Sequence, residues 1–208
     1  MEDQSLLQYL SIALPENETS AHHNVEDIGQ IVDWPEFNYD TILQQYGGLL
    51  NAKQIASDSF SSPSLPLADD SFFHLRFAQL VQPRIRRALR AGFRSLTPDS
   101  IDQHIADTAF IALDDTSANH ASGILGASWK WQSDYRYSPN SSMQDEYKQV
   151  LVRLDVYMNQ HSARSGFLLT DIELVAVKRL DTNGRLVVSS PIPWISGRYG
   201  QLTILIGI

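Results

Sequence analysis

Arg84, Arg86, Arg87, Arg90 and Arg94 form the only dense basic cluster of the chain. A guanidinium meets phosphate oxygens with a planar two-pronged fork, so a helix carrying Arg84, Arg87, Arg90 and Arg94 could lie along a nucleic-acid backbone. The same spacing also makes the solvated outer face of an amphipathic helix, paired with the chain's surplus acids, and the sequence favours that plainer reading. Trp129 and Trp131 alternate with Lys130; in a strand the two indoles share one face and the lysine takes the other. Indoles stack on bases, but packing against a neighbouring helix is the commoner use. The histidines at 22, 23, 74, 104, 120 and 161 show no metal-ligand spacing beyond the adjacent pair His22-His23. There is no glycine-rich phosphate loop and no Gly-X-Ser-X-Gly elbow. Asp171 and Glu173 flank Ile172 on a tight turn, where they are expected to shape the turn rather than to catalyse.

Composition narrows the field further. The chain has 208 residues, enough for one sizeable core with an appended arm. It has no cysteine, which excludes disulfides, zinc–thiolate sites and thiol nucleophiles. With 24 acids against 16 bases the formal charge is −8, and binding to nucleic acid rests on neutralising phosphates; the balance therefore weighs against nucleic acid as the partner. Met1-Glu-Asp-Gln opens acidic, without a basic-then-apolar leader, and no apolar run approaches the ~20 residues of a membrane span. The expectation is an intracellular protein, cytoplasmic or nuclear, with no membrane contact.

These residues need elements to hold them. Leu6, Leu10, Ala13 and Leu14 predict a helix over 3–14 stopped by Pro15, and a polar linker follows. Scattered apolar positions over 25–56 predict short helices broken at Gly47-Gly48, and Ser57 to Asp70 reads as a loop. Residues 1–70 are thus an expected helical arm and linker, and 71–208 the main domain. There, Phe72 to Val81 predicts a buried helix broken by Pro83, which opens the next helix, to about Leu96. Thr97-Pro98 opens a short helix. Strands are predicted at Thr108–Leu113 and Ile124–Trp131 around the polar turn 114–120. Ser142–Gln160 is an amphipathic helix with Asp155 on its outward side. Phe167–Thr170 and Leu174–Leu180 form a hairpin, and Asp181-Thr-Asn-Gly184 turns into a strand at Arg185–Ser189. The apolar end, Leu202–Ile208, is expected either to lead into further chain or to pack as the last piece of the core.

Three stretches in this order, Ala106-Asp-Thr-Ala-Phe-Ile111, Gly123-Ile-Leu-Gly-Ala-Ser-Trp-Lys-Trp131 and Ala163-Arg-Ser-Gly-Phe-Leu-Leu-Thr-Asp171, resemble the core of a fungal nuclease-like family of the PD-(D/E)XK type. Gln149, Tyr157-Met158 and Asp171-Ile-Glu-Leu-Val175 are similar to later parts of that family's pattern. The resemblance covers about half the chain, from roughly Leu96 to Ile208. It implies an α/β (α+β-like) restriction-endonuclease-like core, a central mixed β-sheet flanked by helices, with a helical N-terminal extension. It also implies Mg²⁺ held by acids on two successive strands, polarising a phosphate and acidifying the attacking water, with a lysine beside them.

Asp107 stands where the family keeps its first aspartate, after Ala106 in place of a proline. The acid-X-Lys falls on Ile124-Leu125-Gly126, so the acid is replaced by Ile124 and the lysine by Gly126. Lys130 sits on the same predicted strand face but roughly 13 Å beyond Gly126 at ~3.3 Å per residue, too far for a simple swap. Asp114 and Asp115, in the intervening turn, are the remaining acids. Three readings follow. The first is a catalytically degenerate domain acting as a binding module. The second is an active Mg²⁺ nuclease rearranged around Asp107, Asp114, Asp115 and Lys130. The third is an enzyme of another kind using the vacated cleft for a small-molecule substrate, which an empty cleft would favour and a filled core would oppose.

Overall fold

The computed structural model describes residues 28–52, 70–92, 108–111, 119–181, 184–194 and 201–207, with 70–72, 89–92, 108–111 and 119–120 described through their backbone alone. The helices expected over 3–14 and from Thr97, and most of the loop from Ser57, lie outside these residues. The fold is α/β: a mixed open sheet flanked by helices on both faces.

Among the described residues seven strands make the sheet: β1 (Gln30–Asp33), β2 (Thr108–Ile111), β3 (Asn119–Leu125), β4 (Ser165–Leu169), β5 (Glu173–Arg179), β6 (Arg185–Val188) and β7 (Ile192–Pro193). Their order is β1-β6-β5-β4-β3-β2, and β7 pairs with β5. β1–β6 and β3–β4 are parallel and the other pairs antiparallel. The sequence predicts helices over 25–56; the structure puts β1 there first. Ile31 and Val32 suit a strand, but four residues are too few to show a period.

Helix α1 (Tyr39–Ala52) follows β1 and runs through Gly47-Gly48 without a break. Asn38 caps it, its side-chain oxygen accepting the Thr41 N–H at 2.9 Å. The next helical segment joins α2 (Asp70–Arg76), a π-helical turn (Phe77–Val81) and α3 (Gln82–Gly92). Pro83 therefore does not break the helix. It cannot donate to a carbonyl behind it, and the ladder widens instead, the Gln82 N–H reaching Phe77 O five residues back. The widened turn also serves packing. Phe73, Phe77, Val81 and Ile85 are all buried and spaced by four. Such a row advances about 40° per step on an α-helix, and a wider turn, rotating less per residue, brings it back into line.

Helix α4 (Ser141–Gln160) returns the chain from β3 to β4. Asn140 caps its start, accepting the Ser142 N–H. Its buried stripe, Tyr147, Leu151, Val152, Leu154 and Met158, is the predicted one with Val152 added. Tyr147, Leu151, Leu154 and Met158 share a core with Ile124, Leu168, Val175, Val177, Leu186 and Val188. Asp155, expected on the outward side, is half-buried with Oδ1 unpartnered, and burial pushes its carboxyl up. The opposite face of the sheet packs Leu125, Phe167, Leu169 and Leu174 against the Phe73–Ile85 row. Ile204, on the short helix α5 (Ile204–Gly207), joins that second core, one of the two outcomes expected of the apolar C-terminal segment. Two glycines permit the close approaches. A Cβ on Gly123 would stand 2.3 Å from the Phe167 ring, and one on Gly166 would stand 3.0 Å from both Leu154 and Met158.

Helix α4 ends in a Schellman turn: the Ala163 N–H reaches Met158 O at 2.7 Å and the Ser162 N–H reaches Asn159 O at 3.1 Å. Ser162 pays for this with φ of 54°, a conformation that favours glycine. Ser162→Gly is expected to raise stability by about 0.5–1 kcal/mol, read as a higher urea midpoint at unchanged slope. An unchanged or lower midpoint would mean that the serine is not strained there.

Candidate functional site

Four strands, β1, β6, β4 and β3, run in one direction, so their carboxyl ends lie along one end of the sheet together with the start of β5. In open α/β sheets this is where ligand-binding loops gather. The exit from β3 is the most elaborately held of them. The Gly126 N–H makes a last ladder bond to Leu169 O. The chain then turns, with both the Lys130 and Trp131 N–H groups reaching back to Ala127 O. Strand β3 thus ends at Leu125, and the strand predicted to run from Ile124 to Trp131 is corrected to Asn119–Leu125.

Two carboxylates fix the turn from the β4–β5 side. Asp171 accepts both the backbone N–H and the hydroxyl of Ser128, at 2.6 and 3.1 Å. Glu173 accepts the same pair of groups from Ser133, at 2.6 and 2.9 Å. Their own turn is held by Thr170, whose hydroxyl accepts the Ile172 and Glu173 N–H groups and donates to Glu173 O. Trp131 closes the base of the exit turn. It is 4% exposed, stacks on Tyr147 with ring centroids 5.6 Å apart and donates its indole N–H to Tyr147 O. Burial pushes the Tyr147 phenol up to about 12, an effect the Arg136 charge partly offsets.

Of the two tryptophans, only Trp131 packs on the helix; Trp129 is 51% exposed. The period-two pattern from Ala127 to Trp131 reads as a strand, but four bonds to Ser128 and Ala127 impose a turn. Lys130 is exposed on that turn, so it shares no strand face with Ile124 and Gly126. Ile124 is 6% exposed, inside the core beneath α4. Beside Gly126, in contrast, an added Cβ would meet nothing within 4 Å. At position 124 the structure has filled core rather than a vacated cleft.

Asp107, Asp114, Asp115 and Arg94 lie outside the described residues, as do His22 and His23. Arg90 falls on α3, with its side chain outside the description. Arg84 donates to Leu80 O at 2.8 Å, back onto the π-helical turn, while Arg87 is exposed. The described guanidinium of Arg84 thus serves the helix backbone, where the widened turn disturbs the ladder. Among the described residues no three His, Asp or Glu side chains could together hold a metal ion, and no helix is long and apolar enough to cross a membrane.

Sequence reasoning missed a second polar cluster at this end. Arg136, in the 3₁₀ turn Ser133–Tyr137, pairs with Asp33 at the end of β1 at 2.5 Å and also donates to Ile31 O at 3.4 Å. It covers the outer edge of β1, beyond which no strand lies among the described residues. The partners are 103 residues apart, and no local pattern marks such a pair.

Comparison with known protein families, with curated proteins and with solved structures finds no match to this chain.

The two carboxylate anchors differ in burial, Glu173 being buried and Asp171 half-exposed. Removing a buried acceptor strands its donors without water. Glu173→Ala is expected to cost about 2–4 kcal/mol and Asp171→Ala about 1–2 kcal/mol in urea unfolding. Equal costs, or costs below about 0.5 kcal/mol for both, would show that the turn does not depend on them.

Proposed function

We propose that this chain is a nuclease-like domain of the PD-(D/E)XK type that has lost cleavage and works by binding. What carries the reading is Ile124. At the position of the family's strand acid stands an aliphatic side chain, 6% exposed and packed in the core with α4. A carboxylate there would be stripped of water without a partner. Gly126, at the lysine position, has no side chain, and Lys130 points to solvent from a turn. Mg²⁺ usually rests on one or two protein carboxylates plus phosphates; Ile124 and Gly126 offer it no ligand, and the residues described there do not fit such an ion.

Two further observations fit. The register pairs Thr108 of β2 with Gly123 of β3, so β2 starts at the end of the sheet where β3 finishes, the juxtaposition that the family's two motifs need. The β3 exit turn, held by Asp171 and Glu173, presents Trp129 to solvent at that same end. Exposed tryptophans on rigid turns make strong anchors, because little side-chain freedom is lost on contact.

The test is cleavage of plasmid DNA, single-stranded DNA and RNA with Mg²⁺ or Mn²⁺, beside Asp107→Ala. The expected outcome is no cleavage above the level of that variant. Metal-dependent cleavage that disappears in Asp107→Ala would contradict the reading and establish a rearranged, working site.

A further inference from the structure

The sheet face opposite α4 changes character along its length. Near the Phe73–Ile85 row it is apolar, with Leu169 paired to Leu174 and Phe167 to Ala176. Two residues further along β5, the same face carries Lys178. Its register partners are Ser165 on β4 and Val187 on β6, and Val187 in turn pairs with Val32 on β1. Lys178 is therefore a single cation in a row of small and branched side chains.

Helix α1 stands over this row without closing on it. Between them lies a cleft of about 560 Å³, within the range that holds small organic ligands. Its walls are largely aromatic and aliphatic: Phe37, Ile42 and Tyr46 on the α1 side, and Trp34, which follows β1 and donates its backbone N–H to Val188 O, with Val187 and Leu180 on the sheet side. Trp34 and Phe37 lie 4.9 Å apart, ring to ring. The Lys178 ammonium sits 5.5 Å from the centre of the Trp34 ring. Among the described residues no carboxylate lies within ion-pair distance of it. The π-face of Trp34 holds the cation in place while leaving its donors open to the cleft. Ser165, Thr41 and Gln45 add neutral hydrogen-bonding groups, and the exposed Glu36 is the one acid of the lining. Tyr46, 49% exposed, forms an accessible side of the entrance.

We propose that this cleft binds a small aromatic carboxylate, its ring between Tyr46 and the Val187 floor and its carboxylate on Lys178. A flat apolar body matches the walls, and a carboxylate complements Lys178, the one cation of the lining, with which Glu36 makes no ion pair. The site lies on the opposite sheet face from Ile124, so it stands whether or not the cleavage chemistry is lost.

The probe is 2-naphthoate, with 2-naphthylmethanol as its neutral counterpart, measured by calorimetry and by amide and indole NMR shifts on the full chain. The expected result is millimolar or tighter binding of the naphthoate, with shifts at the Trp34 indole, Lys178 and Tyr46. The alcohol and the Lys178→Met variant should each bind at least about tenfold more weakly. Tyr46→Ser, at an exposed position, should lose about fivefold through the lost wall. If Lys178→Met does not fold, Ser165→Asp serves instead, because it sets a competing carboxylate beside Lys178 and should abolish binding. No binding of naphthoate, equal binding of the alcohol, affinity within twofold in the lysine variant, or shifts outside the cleft would each overturn the proposal. In the last two outcomes Lys178 would be only a structural cap on Trp34.

Discussion

Much of this molecule depends on one connection. β3 and β4 are parallel neighbours, and two parallel strands cannot be joined by a tight turn. The chain must leave the carboxyl end of β3, cross one face of the sheet and re-enter at the start of β4, and α4 is the element that does so. Its twenty residues then press on Ile124 of β3 and Leu168 of β4, which point to that face. This is why Gly166 lacks a side chain under Leu154 and Met158, and why position 124 is aliphatic. An acid at 124 would compete with the burial of Leu151, Leu154 and Met158, which holds the crossover down.

The same connection explains the anchored exit turn. Between Leu125 and Ser141 the chain must reverse and rise to the level of α4. It does so through one turn over Ala127 and another at Ser133–Tyr137. Polar backbone in such a segment must find partners as it leaves the ladder. Asp171 and Glu173 supply acceptors for two of those N–H groups, and the stacked pair Trp131–Tyr147 fixes the turn to the start of α4. The two acids are employed in structure at the end of the sheet where its parallel strands finish.

How much of this was legible follows physical lines. Helix α4, the β4–β5 hairpin and strand β6 are local, periodic and bounded by turn residues, so the sequence predicts them nearly to the residue. The turn at Gly126–Trp131 was hidden because alternating small and aromatic residues imitate a strand, while its cause lies about forty residues away in Asp171 and Glu173. Pro83 suggested a break because proline removes a donor. That a π-helical turn absorbs the loss depends on the buried Phe73–Ile85 row, a tertiary demand. Asp171 and Glu173 were expected to shape their own turn, which Thr170 holds instead; their carboxylates reach Ser128 and Ser133, beyond any local pattern. Strand β1 and the Arg136–Asp33 pair are long-range features with no periodic trace. The resemblance directed attention to Ile124 and Gly126; that one is packed and the other open required the fold.

The most direct test of this account is the stability of Ile124→Glu measured beside Gly126→Lys in urea unfolding, with Mg²⁺ present and absent. If position 124 is core, the glutamate costs on the order of 3–5 kcal/mol, Mg²⁺ does not restore it, and the lysine at the open position 126 costs less than about 1 kcal/mol. A glutamate tolerated to within about 0.5 kcal/mol, or rescued by Mg²⁺, would contradict the account and make position 124 a ligand site still accessible to metal.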